Sequence, residues 1–201
     1  MENSIARERL IVASNNKNKL KEFDAILGHL YDVVSMRDAG VDADIEEDGV
    51  TFEDNALIKA KYVMDVTGCA AIADDSGLEV DALGGAPGVY SARYCGRHGD
   101  DEANNDLLLE NLKDVPAPRT GRYVAAIALV RPGHEPIVRR GTCDGEILFG
   151  RRGTGGFGYD PLFVCETGET FAEVSAETKN AISHRKRGIE AVVRALEEEE
   201  A

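Results

Sequence analysis

Basic residues are in short supply: 23 Lys and Arg stand against 37 Asp and Glu, a net charge of −14. Such a field repels DNA and RNA at long range and excludes a bulk nucleic-acid partner. A small polyanion remains admissible, because a local group of lysines or a divalent metal reverses the field inside a site. Cysteine is scarce too. Cys69, Cys95, Cys143 and Cys165 include no CxxC pair, which removes the common redox and zinc motifs and leaves four reduced, packed thiols. Tyr123 to Val130 is the longest apolar run, about eight residues, against the ~20 that a membrane helix needs. "MENSIARER" lacks the apolar stretch of a secretory signal. The expected protein is soluble and cytoplasmic, with no membrane partner. Internal repeats and low-complexity linkers are also missing, so 201 residues read as one domain with room for two lobes.

What is present alternates between two periods. Residues 9–14 form a short apolar run and predict a strand; 17–28 carry Leu20, Phe23, Ile26 and Leu27 at helical spacing. A second strand is expected over 31–35, a helix over 51–66, and strands over 69–73 and 78–83. Residues 100–112 read as a helix. A hairpin follows over 121–131 and 135–143 through the turn Pro132-Gly133, then a strand over 162–165 and a last helix after Ser183. This order predicts an α/β protein with a mixed sheet.

Five stretches carry candidate chemistry. The first is the polar corner Ser14-Asn15-Asn16-Lys17-Asn18-Lys19, where a strand runs into a helix. Amide groups at a helix start favour an anion, and Lys19 adds a full charge; an Asn or Ser cap followed by solvated lysines explains the corner equally well. It matches neither of the common glycine-rich phosphate loops. The second is acidic, Glu46-Glu47-Asp48-Gly49, a solvated loop or a source of oxygen ligands for Mg²⁺. Third comes Asp74-Asp75-Ser76-Gly77, read as a turn at the carboxyl end of a buried strand, where α/β sheets place ligands. Two adjacent carboxylates there are costly unless a metal or cations offset them. The fourth, Gly153 to Asp160, holds four glycines for close backbone approach. Its Phe157 and Tyr159 give flat faces on which a base could stack, and Asp160 an acceptor at the edge. The fifth is basic, Lys179 to Arg187. With Ser183 as cap, His184 and Arg185 fall in the first helical turn, where they oppose the helix dipole unless an anion is bound. Together these features suit a nucleoside phosphate with Mg²⁺.

The blocks "SNNKNK", "EEDGVTFEDNALIKAKY", "IADDSGLEVDALGGAPGVYSARY", "GTGGFGYDPLF" and "SHRKRG" resemble, in this order, the inosine triphosphate pyrophosphatases, also called XTP/dITP diphosphohydrolases. The resemblance spans residue 10 to about residue 190. Asp54 is a small departure, standing where Glu is more usual. The resemblance implies an elongated mixed sheet with two lobes around a central cleft, a homodimer, and Mg²⁺-dependent hydrolysis of ITP, dITP or XTP to the monophosphate and pyrophosphate. Carried over by position, Ser14 to Lys19 would hold the triphosphate, with Lys59 a further group for the phosphates. Glu46 would be a metal ligand with Glu47 as its alternate. Asp75 would be metal ligand and proton acceptor, supported by Asp74, and Ser76 would touch substrate. Phe157, Gly158, Tyr159 and Asp160 would hold base and sugar; Lys179, His184 and Arg185 would recognise the purine. Two other readings remain at this stage. The Maf-type pyrophosphatases, which take other nucleotides, lack the "SHR" block. A non-catalytic nucleotide binder would have lost the acidic residues that are present here.

Overall fold

The computed structural model describes residues 7–199, without the side chain of Asn18. Along the chain run β1 (Glu8–Val12), α1 (Lys17–Leu27), β2 (Tyr31–Ser35), α2 (Phe52–Thr67) and β3 (Ala70–Val80). Two short 3-10 segments, Asp81–Leu83 and Gly88–Arg93, precede α3 (Asp101–Leu112). After it come β4 (Thr120–Val130), β5 (Ile137–Ile147), β6 (Phe163–Val164), α4 (Ala176–Ile182) and α5 (His184–Glu199). The strands form one mixed sheet in the order β2-β1-β3-β4-β5-β6, the α/β class that the alternation of periods predicts. The chain divides into two compact units. One holds the segment ending at Asp75, Ala126–Arg140 and the segment from Gly188 onwards; the other holds Ser76–Ala125 and Gly141–Arg187. Strands β3, β4 and β5 each contribute residues to both.

In the first unit β1 is parallel to β2, with Leu10 opposite Val33, and to β3, with Leu10 opposite Ala70. Leu10, Ile11 and Val12 are all buried, so both faces of β1 are covered and its sequence is a continuous apolar run rather than an alternation. The cover follows from connectivity. The chain crosses the sheet one way from β1 to β2 and the other way from β2 to β3. Right-handed crossovers in opposite directions lay α1 and α2 on opposite faces. Helix α2 starts where Thr51 Oγ1 accepts the Asp54 N–H at 3.1 Å, gains from Glu53 and Asp54 in its first turn, and stops at Gly68 in the left-handed conformation (φ 69°). Its buried side is Phe52, Ala56, Ala60 and Val63, one stripe at helical spacing.

The second unit has its own core. Leu78 and Val80 of β3, Leu108 and Leu112 of α3, Tyr123 of β4, and Phe163 and Phe171 form a single cluster. Buried Arg119 closes the end of α3 by donating to the carbonyl of Leu112, its last residue (2.6 Å), and to that of Val115 just beyond it (2.9 Å).

The elements differ from expectation in three places. Residues 70–80 are one strand, so Asp74 to Gly77 lie within it and not in a turn. Strand β5 extends to Ile147, and Ala176–Ile182 is a separate helix capped by Ser175, whose side chain accepts the Thr178 N–H. The first difference has an electrostatic cause: Asp74 and Asp75 are each paired with a lysine.

Strands β5 and β6 approach closely at Gly145, where a Cβ would lie 2.3 Å from the Val164 carbonyl and 2.5 Å from the Phe163 ring. Gly145→Ala is expected to destabilise the protein by about 1–3 kcal/mol, the usual cost of overpacking. Urea unfolding reads this directly, and an unchanged midpoint would mean that the β5–β6 edge yields freely.

Candidate active site

Five charged side chains meet at the end of the first unit's part of β3. Asp74 is buried and pairs with Lys19 of α1, Nζ to Oδ1 2.9 Å. Asp75 points the other way and meets Lys59 of α2, Nζ to Oδ1 3.1 Å. Lys59 also reaches Glu47 Oε1 at 3.1 Å, so one ammonium is shared by two carboxylates. These two lysines explain how a strand can run through two aspartates: each carboxylate has a cation from the helix on its own face. Asn55 completes the group. Its Nδ2 donates to Asp75 Oδ2 (3.2 Å) and its Oδ1 accepts the Gly49 N–H (2.8 Å), tying the acidic segment to β3.

The electrostatics follow from burial. Burial pushes the Asp75 carboxyl above its ordinary value; Lys59 opposes that shift and the Glu47 carboxylate adds to it. Burial would lower the Lys59 ammonium, but Asp75, Asp74 and Glu47 outweigh it and hold it above the ordinary value. Lys59 thus stays cationic and opposes the effect of burial on Asp75.

Along 42–50 exposure alternates residue by residue, with Glu46 outward and Glu47 inward. The carboxylate beside Lys59 and Asp75 is therefore Glu47, and Glu46, put forward first from the sequence, is exposed. Among the described residues no three His, Cys, Asp or Glu side chains gather as a metal cage. Two carboxylates already sharing one cation still fit Mg²⁺, a hard ion that takes one or two protein oxygens and completes its shell with water and phosphate.

At the corner, Asn16 Oδ1 accepts the Lys19 N–H (3.3 Å) and Ser14 Oγ accepts the Asn16 N–H (3.1 Å), so Asn16 caps α1. Asn15 and Lys17 are exposed, and the side chain of Asn18 lies outside the described residues. The capping reading of the corner is thus realised, while Lys19 faces the carboxylates.

The second unit gathers the remaining candidates. Asp160 is buried, and both its oxygens are engaged. Oδ1 accepts the Tyr123 hydroxyl at 3.1 Å; Oδ2 accepts the Phe157 N–H at 2.9 Å and Lys179 Nζ at 2.5 Å. A Cβ on Gly156 would lie 2.0 Å from Oδ2, and Gly156 has φ +74°, so only glycine fits there. Asp160 therefore organises the loop from inside, through the protein's own donors. Tyr159 is buried as well. Its hydroxyl donates to the Ser91 carbonyl (2.8 Å), and burial raises its pKa, so it gives no stacking face. Phe157 is 60% exposed, and the Lys179 ammonium lies 4.5 Å from its ring centroid. Gly158 is clamped by α3: its N–H donates to Asp101 Oδ2 (2.7 Å) and its carbonyl accepts Asn105 Nδ2 (2.8 Å). At the base of the loop Arg152 bonds Glu173 (2.7 Å). That contact, with the Thr170 N–H, holds the Glu173 carboxyl down at about 2.

His184 and Arg185 open α5 and are buried, and Ser183 Oγ caps the helix by accepting the Lys186 N–H (3.1 Å). Arg185 Nη2 approaches Ser76 Oγ at 3.5 Å. Sequence reasoning missed Asn55, Tyr123, Asp101 and Asn105. Asn55 had one signal: it lies one helical turn before Lys59, on the same face of α2.

The Ham1 family model matches residues 10–195. A dITP/XTP pyrophosphatase of Geobacter sulfurreducens is 53% identical over 184 residues, 90% of this chain and 92% of its own. Another, of Exiguobacterium sibiricum, is 50% identical over 191 residues, 94% and 96% of the two chains. The solved Ham1 protein of Staphylococcus aureus superposes with a TM-score of 0.88 at 41% identity, over 96% of this chain and all of that one.

The Lys59 contact makes a testable statement about Asp75. Removing the ammonium in Lys59→Met takes away the group that opposes burial, so the Asp75 carboxyl should titrate higher still. Carboxyl carbon shifts followed against pH in metal-free protein would show the change; a downward move would contradict the assignment. By model and sequence, over nearly its whole length, this chain belongs to the Ham1 family.

Proposed function

We propose that this protein hydrolyses noncanonical purine nucleoside triphosphates, ITP, dITP and XTP, to the monophosphate and pyrophosphate, and so clears them from the nucleotide pool. The observation that carries the reading is the partly buried carboxylate pair Asp75 and Glu47 sharing Lys59, in a chain that closely resembles two dITP/XTP pyrophosphatases. Asp75 and Glu47 would hold Mg²⁺, which when bound offsets the negative charge of the triphosphate. Lys19 and Lys59 supply further positive charge for the phosphates. Pyrophosphate leaves as a unit, so water attacks the α-phosphorus, and Asp75 accepts its proton. A carboxylate pushed upward by burial is a better base than a solvated one, and Lys59 favours its deprotonated form.

The purine falls to the second unit's set. Phe157 is the exposed ring for stacking. Lys179, His184 and Arg185 provide donors for a 6-keto oxygen. Adenine carries an amino group there and would leave buried donors unpaired, a large penalty. Ser76, beside Arg185, would contact the substrate. Asp160 and Tyr159 serve by holding the loop. We also propose a homodimer working in the cytoplasm; the four cysteines are free thiols, and among the described residues no helix is long and apolar enough to cross a membrane.

With Mg²⁺, dITP and XTP should release pyrophosphate, while dATP, dCTP and dTTP release little. Orthophosphate instead would mean attack at the γ-phosphorus and would overturn the mechanism. Asp75→Asn should lower kcat by at least about 10²-fold, at the lower end of what a positioned base contributes, with nucleotide binding retained. Near wild-type turnover in that variant would remove Asp75 as the base.

A further inference from the structure

Tyr123 takes no part in the proposed function, yet it touches both the loop residue Asp160 and the helix-start residue His184 of the second unit. Its ring is the middle member of a column. Phe171 stacks on it at 5.5 Å between centroids and 8° between planes, and His184 stacks at 5.1 Å and 14°. Phe163 meets it edge-on at 4.8 Å. Its hydroxyl is spent on none of these packing contacts: it donates to Asp160 Oδ1. Asp160 in turn fixes the Phe157 amide and Lys179, and the Lys179 ammonium lies over the rings of Phe157 and Phe171. Burial and the neighbouring Asp160 raise the phenol's pKa far above its ordinary value, so the hydroxyl is a donor at every pH at which the protein works.

We propose that Tyr123 is a positioning residue for purine recognition, setting the Asp160–Lys179–Phe157 group through its hydroxyl and the His184 ring plane through its face. The inference rests on the purine reading of those residues. It adds that one side chain of β4 fixes two otherwise separate parts of the base-recognition set, a loop and a helix start. A buried carboxylate with three donors on two oxygens has one orientation; without the phenol, Oδ1 loses its anchor and the carboxylate can rotate about the remaining two. Lys179 and the Phe157 amide would then follow it. A site that reads a purine edge through such groups loses precision when the groups behind them loosen.

Tyr123→Phe isolates the hydroxyl, because the ring and its column are retained. In the full chain KM for dITP should rise about tenfold, the effect of one hydrogen bond to a charged group, with kcat within about twofold since the Asp75 group is untouched. Amide exchange of Phe157 in nucleotide-free protein should quicken by a similar factor. In a Lys179→Met background the added effect of Tyr123→Phe on KM should shrink to less than about threefold, as expected of two groups acting through one carboxylate. Unchanged KM and unchanged Phe157 exchange would overturn the proposal, as would an equal KM penalty in both backgrounds, which marks ordinary core loosening. The exchange measurement needs no substrate. If wild-type protein failed to cleave dITP, the substrate reading would fall, while Phe157 exchange would still decide whether Tyr123 holds the loop.

Discussion

The interaction on which the rest depends is the ammonium of Lys59 held between Glu47 and Asp75. A carboxylate buried in a strand is unstable by itself, and two in succession are worse. The chain answers by placing a lysine on each of the two helices that cover opposite faces of β3, Lys19 for Asp74 and Lys59 for Asp75. That answer requires the crossover geometry: if α1 and α2 shared a face, one aspartate would have no cation. Fold and charge are thus joined in the first unit, and the parallel order β2-β1-β3 is what lets β3 carry acidic residues at its middle.

The second unit solves a different problem by a different device. There a glycine-rich loop must be held still without regular secondary structure. Asp160 does this from inside, Asp101 and Asn105 hold Gly158 from α3, and Arg152 with Glu173 fastens the base. Four glycines make the loop able to adopt its path; the carboxylates make it keep to that path. The glycines are read correctly as close backbone approach, but what approaches most closely is the loop's own Asp160.

The sequence was informative where a pattern had a partner to set its phase. Leu10 to Ala13 and the Leu20, Phe23, Ile26, Leu27 spacing located β1 and α1, and the Asp-Asp pair marked a charge problem that had to be solved nearby. Ser183 was legible as a cap, because capping is local. It failed where direction depended on residues far away. Nothing in "EEDG" says which glutamate turns inward, since no strong apolar alternation anchors that segment. Tyr159 and Phe157 look alike in the loop, yet one is buried against the Ser91 carbonyl and the other is exposed. Asp74 to Gly77 resembled a turn because aspartate and glycine usually make one; tertiary charge pairing overrode that preference.

Strand β3 also makes the gene unusually sensitive to one kind of error. Successive side chains of a strand alternate in direction, so Asp74 and Ser76 share one side while Asp75 and Gly77 share the other. Loss of a single codon between Ala70 and Asp74 would leave every lysine, aspartate and glycine of the site in the polypeptide. Each acidic group would then face the wrong helix, and Gly77 would no longer lie against Ser91, where a Cβ would stand 2.4 Å from Oγ. Single-codon deletions in this stretch should therefore be read as loss-of-function alleles even though no functional residue is missing from them.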